Sequence, residues 1–475
     1  MTGTRPSSPW RENLETGAVA IAMALLLKVF AVEVYKIPSG SMQPTLMGLS
    51  YPSMNVYDRI IVDKLTYKLR DPRRWEVAVF RYPLNQSKSY IKRVIGMPGE
   101  SLRCIGGDLW RREGPEDGDG AILRKPAAVQ EDLWLETASW DWRGSATHPR
   151  EWQPEAGVWR AAEEGWLASG PSTLAYRHTV MNGTTDGYPQ GLRDKGLRLP
   201  GRVTPARDIR LSVGVRPESD CSGVKLEVGA DGDLFTALVA GPAAPGASTL
   251  RRGDETLWEG DLALPTDEET VVSFGHVDQS LVLALDGDEV ASVELSGAPR
   301  SSPHTNRTAF GLTGGSAHVT ATTIHRDLSW TDVGRFEAGA WVDVPEGSYF
   351  MLGDNSINSD DGRLWRKRTY RLRNRSDGMA AIEGHDQPHG HDLAERNPLF
   401  LDRHAALSGL SGGDEVVMRD TLGETYRFAR ADIEPGGTGP VPASFVPRSH
   451  MLGRALFVFW PWPPFAEVAR LKCIR

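Results

Sequence analysis

The sequence predicts a mainly β protein in which a strand-rich core, set behind an apolar N-terminal helix, is interrupted by a jelly-roll-like β-sandwich and by a second insertion. Three observations predict this. Short runs of β-branched and aromatic residues between turn formers occur near both ends of the chain, as in NVYDRIIVDKL (Asn55 to Leu65), EVAVFRYP (Glu76 to Pro83) and SFVPRSHMLGRALFVFW (Ser444 to Trp460). From Asp208 to Trp330 apolar and polar residues alternate through successive runs, and Asp286-Gly287 marks a hairpin between two of them. Two other stretches break the pattern, one rich in tryptophan and one rich in charge, glycine and proline.

At 475 residues the chain exceeds one ordinary core, and its length suggests roughly two to four domains. A net charge of −8 gives no basic footprint, so nucleic acid is excluded as a main partner. Cys104, Cys221 and Cys473 are odd in number and widely spaced, which argues against a disulfide framework or a zinc site. No cofactor is expected.

Taken in order, residues 1–15 read as a cytoplasmic tail and 16–35 as an uncleaved transmembrane anchor. Within it the apolar run resumes after Lys28, and no small-x-small cleavage site follows the first apolar block. Residues 36–105 form the first part of the core, and 106–205 a connector whose tryptophans suit packing better than sugar stacking. The sandwich occupies 206–332, and its pattern resembles concanavalin-like, laminin-G-type jelly rolls without carrying a binding motif, so any ligand of it stays unknown. Residues 333–363 return to the core, 364–443 form the second insertion, and 444–475 the closing strand and tail. The insertion holds RKRTYRLRNR, read as a solvated face, and GHDQPHGHD, whose His385, His389 and His391 lack the spacing of a metal site.

Chemistry enters with KIPSGSMQPTL, Lys36 to Leu46. Pro38 discourages a helix from continuing into Ser39-Gly40-Ser41, which presents a serine on a loop just after the apolar run. Gly40 allows a tight turn in which the Ser41 amide faces a bound carbonyl oxygen. In SYIKRVIGMPGE (Ser89 to Glu100) a period of two puts Tyr90, Lys92 and Val94 on one face of a strand and Ile91, Arg93 and Ile95 on the other. A serine hydroxyl needs a base, and a lysine serves only when neutral, a state that apolar surroundings favour. No G-x-S-x-G or HExxH motif offers another hydrolase site.

A third stretch, YFMLGDNSINSDDGR (Tyr349 to Arg363), follows these in order. IPSGSMQPTL, YDRIIVDK, YIKRVIGMPGE, GDN with S-x-D-x-R, and VPRSHMLGRA together resemble the type I signal peptidases, the membrane-bound serine proteases that remove leader peptides from exported proteins. The resemblance covers about residues 15–105, 340–363 and 444–460. It implies Ser41 as nucleophile and Lys92 as general base, with Ser39 joining the Ser41 amide in the oxyanion hole. It further implies that Ser359 orients the lysine, that Asp361 and Arg363 form a supporting ion pair with Arg93 nearby, and that Ile37, Pro38 and Ile91 wall shallow pockets for small residues. Ser356 and Gly362 depart from the family, which commonly has Arg and Ser there.

The expected partners are therefore preproteins bearing signal peptides, cut after Ala-x-Ala-like ends, and membrane lipid. The expected location is a bacterial-type cytoplasmic membrane, with the site on the extracytoplasmic side. A self-cleaving repressor protease is disfavoured, since no DNA-binding segment precedes Ser41. The alternative of another class is a membrane-tethered envelope binding module that uses the sandwich, with a non-catalytic peptidase-like core.

Overall fold

A computed structural model describes residues 9–51, 54–144, 150–194, 203–230, 232–296, 306–373, 381–385, 415–434, 440–461 and 471–475. The chain divides into two compact units: Met1–Glu100, Pro189–Gly191 and Asp343–Arg475 form the first, Ser101–Tyr188 and Leu192–Val342 the second.

The first unit is built on an antiparallel sheet in the order Val32–Lys36, Arg59–Asp63, Met451–Trp460, Val77–Tyr82, Asn85–Gly96, Ser348–Leu352 and Phe445–Pro447, with Lys472–Cys473 paired to Met451–Trp460. Its strands alternate as the sequence does. Val77 and Val79 enter one apolar cluster with Ile37, Ile60, Val62 and Ile474, while Ala78, Phe80 and Tyr82 enter another with Val94, Met351 and Trp365. The strand Asn85–Gly96 begins four residues before the SYIKRVIG run, and Gly99, at φ +83°, closes the turn after it.

Two expectations are corrected here. The segment 16–35 is not one apolar helix: a helix spans Pro9–Phe30, and Val32–Lys36 is a strand paired with Arg59–Asp63. Among the described residues no helix is long and apolar enough to cross a membrane. The helix ends at Phe30, and the β-branched Val32 and Val34 take extended backbone.

The sandwich also begins earlier than residue 206. Strands Leu135–Asp141, Trp152–Ala162 and Gly165–Tyr176, from the stretch read as a connector, join the large sheet of the second unit. Trp142, Trp152 and Trp166 are buried in its core with Phe310, the packing role expected of them. Asp286 and Gly287, both at positive φ, turn the chain between Ser280–Leu285 and Asp288–Glu294 as the hairpin signal predicts. His389 and His391 lie outside the described residues, while His385 packs edge-on against Tyr82.

Candidate active site

The loop that carries Ser41 is tied down by a residue of the neighbouring YDRIIVDK run. Asp58, fully buried, accepts the Met47 N–H at 2.8 Å on its carboxylate, and its backbone bonds Ile37 and Met47. Ile37, Met42 and Leu46 sink into the apolar cluster beneath, so the loop is anchored at both ends by burial. Within the loop, Gln43 folds back to Gly40, where a Cβ would stand 2.9 Å from its Oε1. Ser39 Oγ lies 3.5 Å from Ser41 Oγ.

Lys92 approaches from the strand Asn85–Gly96, with its Nζ 2.5 Å from Ser41 Oγ. It is 3% exposed, and its face of the strand runs with Tyr90 and Val94, as the period of two predicts. Tyr90 stacks on Tyr82 at 4.2 Å, and the Lys92 ammonium position lies 5.6 Å from the Tyr90 ring centre. Trp365 meets both tyrosines edge-on, which closes the apolar wall.

The Gly353-Asp354-Asn355 loop presses against the Ser41 loop. Asn355 donates its N–H to the Ser41 carbonyl at 3.1 Å and its Nδ2 to the Gly40 carbonyl at 2.9 Å. A Cβ at Gly353 would stand 2.4 Å from the Ser41 carbonyl oxygen and 2.0 Å from Ser359 Oγ, so no other residue fits this approach. Ser359 itself is buried beside Gly353, and its hydroxyl has no hydrogen-bond partner among the described residues.

Two buried ion pairs brace this arrangement. Arg363 holds Asp361 through Nε at 2.9 Å and Nη2 at 2.8 Å, both residues fully buried, and Asp361 also accepts the Gly353 N–H at 2.9 Å. Burial alone would push the Asp361 carboxyl up. The Arg363 charge and hydrogen bonds, the Gly353 N–H and the Lys92 charge together hold it below the usual carboxylate range. Ser356 accepts Arg363 on its carbonyl at 3.0 Å, and its Oγ lies 3.3 Å from Nη1, so this departure from the family is absorbed into the same brace. Gly362 is confined: a Cβ would meet the Ser444 carbonyl at 2.8 Å and the Met351 carbonyl at 3.1 Å.

The second pair joins Arg93 to Asp354, bidentate at 2.9 and 2.7 Å and fully buried on both sides. Arg93 is therefore paired with Asp354 and not with Asp361. YDRIIVDK and GDN carry Asp58, Asp354 and Asn355, but no role for these three side chains follows from the motifs themselves. Their order in the chain was the available signal; the roles needed the fold.

The strand that carries Lys92 is open on one side beside Ser41. Ala78 to Arg81 pair with Lys92 to Ser89, whereas on the other side Ser348–Leu352 pairs only with Arg93, Val94 and Gly96. Ile91, half-buried, lies on this open stretch, and Ile37 and Pro38 lie on the chain leading to Ser41.

In the second unit the carboxylates of Asp108, Asp208 and Asp278 converge, with donor atoms within 4.8 Å of one another. Their positions, far apart in sequence, hid this from sequence reading. The Lys125 ammonium already sits on both Asp278 oxygens at 2.7 Å and on Asp327 at 2.8 Å, and Arg207 reaches Asp108 at 3.3 Å. Burial holds the Asp108 carboxyl well above its ordinary range. The cluster is thus a charge network served by its own cations.

Comparison with known proteins follows the same residues. The signal peptidase, peptidase S26 family matches residues 10–126 and 282–379, less than half of the chain; the second segment starts inside the second unit and runs through Arg363. A probable signal peptidase I-1 of Synechocystis sp. is 34% identical over 129 residues, covering 25% of this chain and 61% of that protein. A probable signal peptidase I-2 of the same organism is 36% identical over 111 residues, covering 22% and 47%. A signal peptidase I of Pseudomonas fluorescens is 42% identical over 93 residues, covering 17% and 30%. The chain spans about half the length, or less, of these last two relatives. Among solved structures, a Bacillus subtilis protein of unknown function with a galectin-like fold covers 40% of this chain and 96% of its own at 10% identity and a TM-score of 0.29, too low to bear on fold or ligand. The matched segments contain Ser41, Lys92 and the Gly353–Asn355 loop, and over these segments the chain is similar to the type I signal peptidases of the signal peptidase, peptidase S26 family.

Proposed function

We propose that the protein is a serine endopeptidase that removes leader peptides from exported preproteins by a Ser41/Lys92 dyad. The observation that carries this reading is the 2.5 Å approach of Lys92 Nζ to Ser41 Oγ inside an apolar wall. Neutral Lys92 takes the Ser41 proton as Oγ attacks the scissile carbonyl carbon. The Ser41 N–H and the Ser39 hydroxyl stabilise the oxyanion that develops. Lys92 then gives its proton to the leaving nitrogen as the C–N bond breaks, leaving an acyl ester on Ser41. Water attacks that ester, with Lys92 again taking the proton, and the new carboxyl end and free Ser41 result. Ser359, with its unpartnered hydroxyl, is suited to orient Lys92 during these transfers.

Substrate docks as an extended strand on the open edge Ser89–Lys92, its backbone completing the ladder, and Ile37, Pro38 and Ile91 confine the residues before the cut to small ones. Trp10, Leu14, Val19, Ile21, Met23, Leu26 and Phe30 are all exposed on the N-terminal helix, and we place this helix against membrane lipid with the site on the extracytoplasmic side. The test is cleavage of a leader-bearing substrate by the full chain in lipid vesicles, with and without Ser41→Ala. Cleavage after the small residues that depends on Ser41 supports the proposal, and equal cleavage by the variant refutes it.

A further inference from the structure

We propose that the segment Lys472–Arg475 is a positioning element for Ser41 and Lys92, acting through Arg93 and the Gly353–Asn355 loop. This rests on the Ser/Lys reading above. Arg93 follows Lys92 directly in the chain and is fully buried. A guanidinium stays charged in a protein and presents five donors, so its burial depends on acceptors. Asp354 accepts from Nε and Nη2, the Trp75 carbonyl accepts from Nη1 at 2.7 Å, and the Arg475 carbonyl accepts from Nη1 at 2.7 Å.

What Arg93 holds is the back of the nucleophile. Asp354 lies between Gly353, packed within Cβ reach of the Ser41 carbonyl, and Asn355, which donates to the carbonyls of Gly40 and Ser41. A shift of Arg93 is therefore passed to Lys92 through the peptide bond between them and to Ser41 through Asp354 and Asn355. The dyad distance depends on both ends of this connection.

The tail is seated by its own sequence. Lys472 and Cys473 pair with Val458 and Phe457, and the Ile474 N–H donates to the Leu456 carbonyl at 2.8 Å. Ile474 is 3% exposed in the cluster that also holds Ile37, Met42 and Leu46 of the nucleophile loop and Ile91 of the lysine strand. This burial carries the next carbonyl, that of Arg475, to Arg93. Without that carbonyl one buried guanidinium N–H loses its acceptor, and the side chain must move toward water or draw Asp354 with it.

The experiment compares the full chain with a chain ending at Ile474, with Ile474→Asp, and with Ile474→Val as the conservative control. Cleavage of a leader-bearing peptide is resolved into kcat and KM, and competent sites are counted by complete reaction with a serine-directed phosphonate. From the worth of a hydrogen bond to a charged group, kcat per titrated site should fall roughly 10-fold for the chain ending at Ile474 and about 100-fold for Ile474→Asp. KM should stay within about two-fold for the chain ending at Ile474, which keeps Ile474 in the cluster it shares with Ile37 and Ile91, and Ile474→Val should match the full chain. Unchanged kcat per site, with only fewer titratable sites or a lower melting temperature, overturns the proposal by reducing the tail to an anchor. A change confined to KM overturns it as well. If the full chain does not cleave, or Ser41→Ala cleaves equally, the dyad reading falls and this proposal with it. Ser41-dependent cleavage that is indifferent to the tail removes the tail proposal alone.

Discussion

Replacing Lys92 by arginine tests whether the buried amine acts as a base or only as a charge. A free lysine titrates near 10.4, and a base working near neutrality must lose its proton at roughly 7 to 8, a difference on the order of 4 kcal/mol against the charged form. The site offers the means: Lys92 is 3% exposed, flanked by Tyr90, Tyr82 and Trp365 on an apolar face, with Ser41 Oγ 2.5 Å from its Nζ. Arginine keeps the charge and cannot deprotonate, so the variant should lose the whole contribution of the base, about 10²- to 10⁴-fold in kcat or more. The larger side chain in a closed site should also cost roughly 1–3 kcal/mol by overpacking, which melting curves will register separately. The assay is cleavage of a leader-bearing peptide across pH 6 to 10, about the range over which a shifted lysine titrates. The full chain should show a rate that rises with pH through a group well below 10.4, the value of about a free lysine, and the variant should show no such limb. Cleavage by folded Lys92→Arg within about ten-fold of the full chain would refute the reasoning, because no other group near Ser41 Oγ is then excluded as the base.

Ser41→Ala should be as inactive as Lys92→Arg, and the double variant no worse than either, since nucleophile and base act as one unit; additive losses in kcat would contradict this. Asp361→Asn leaves Arg363 buried without its carboxylate and should cost about 3–5 kcal/mol of stability by denaturant unfolding. Because the folded Asp361 carboxyl is held below its usual range, its contribution is fully present above roughly pH 4 and is lost as pH falls through the folded value, so the variant should lose less further stability in acid than the parent does. Burial, with the Arg210 charge, pushes His325 from 6.5 down to about 4, against weaker opposing effects of Glu136 and Glu131. The unfolded chain binds this proton first as pH falls, so about 3 kcal/mol should be lost between pH 6.5 and 4, and His325→Gln should flatten that slope in calorimetry of the full chain. Replacing residues 101–342 by a short linker should preserve cleavage, because the Val344 N–H donates to the Glu100 carbonyl at 2.8 Å and the two ends already meet. Replacing only 206–332 should instead give insoluble protein, since it strips Trp142, Trp152 and Trp166 of the strands that bury them.

Local pattern in the sequence determined the strands, the hairpin at Asp286-Gly287 and the facing of Lys92 with Tyr90 and Val94, because a period of two is a property of the backbone and needs no partner. It also placed Ser41 on a loop, since Pro38 and Gly40 act on their own neighbours. Where helix gives way to strand after Phe30 was not legible, because Val32 and Val34 are as apolar as the helix before them and only pairing with Arg59–Asp63 distinguishes the two. The extent of the sandwich was hidden for the same reason: a strand such as Trp152–Ala162 shows no clean alternation, and its membership in the sheet is set by neighbours far along the chain. The pairing of Arg93 with Asp354, the hold of Asp58 on the Ser41 loop and the docking of Ile474 were decided by tertiary structure alone. Each joins residues distant in sequence whose meeting depends on how the strands are ordered, and burial then selects which of the available charges must find each other.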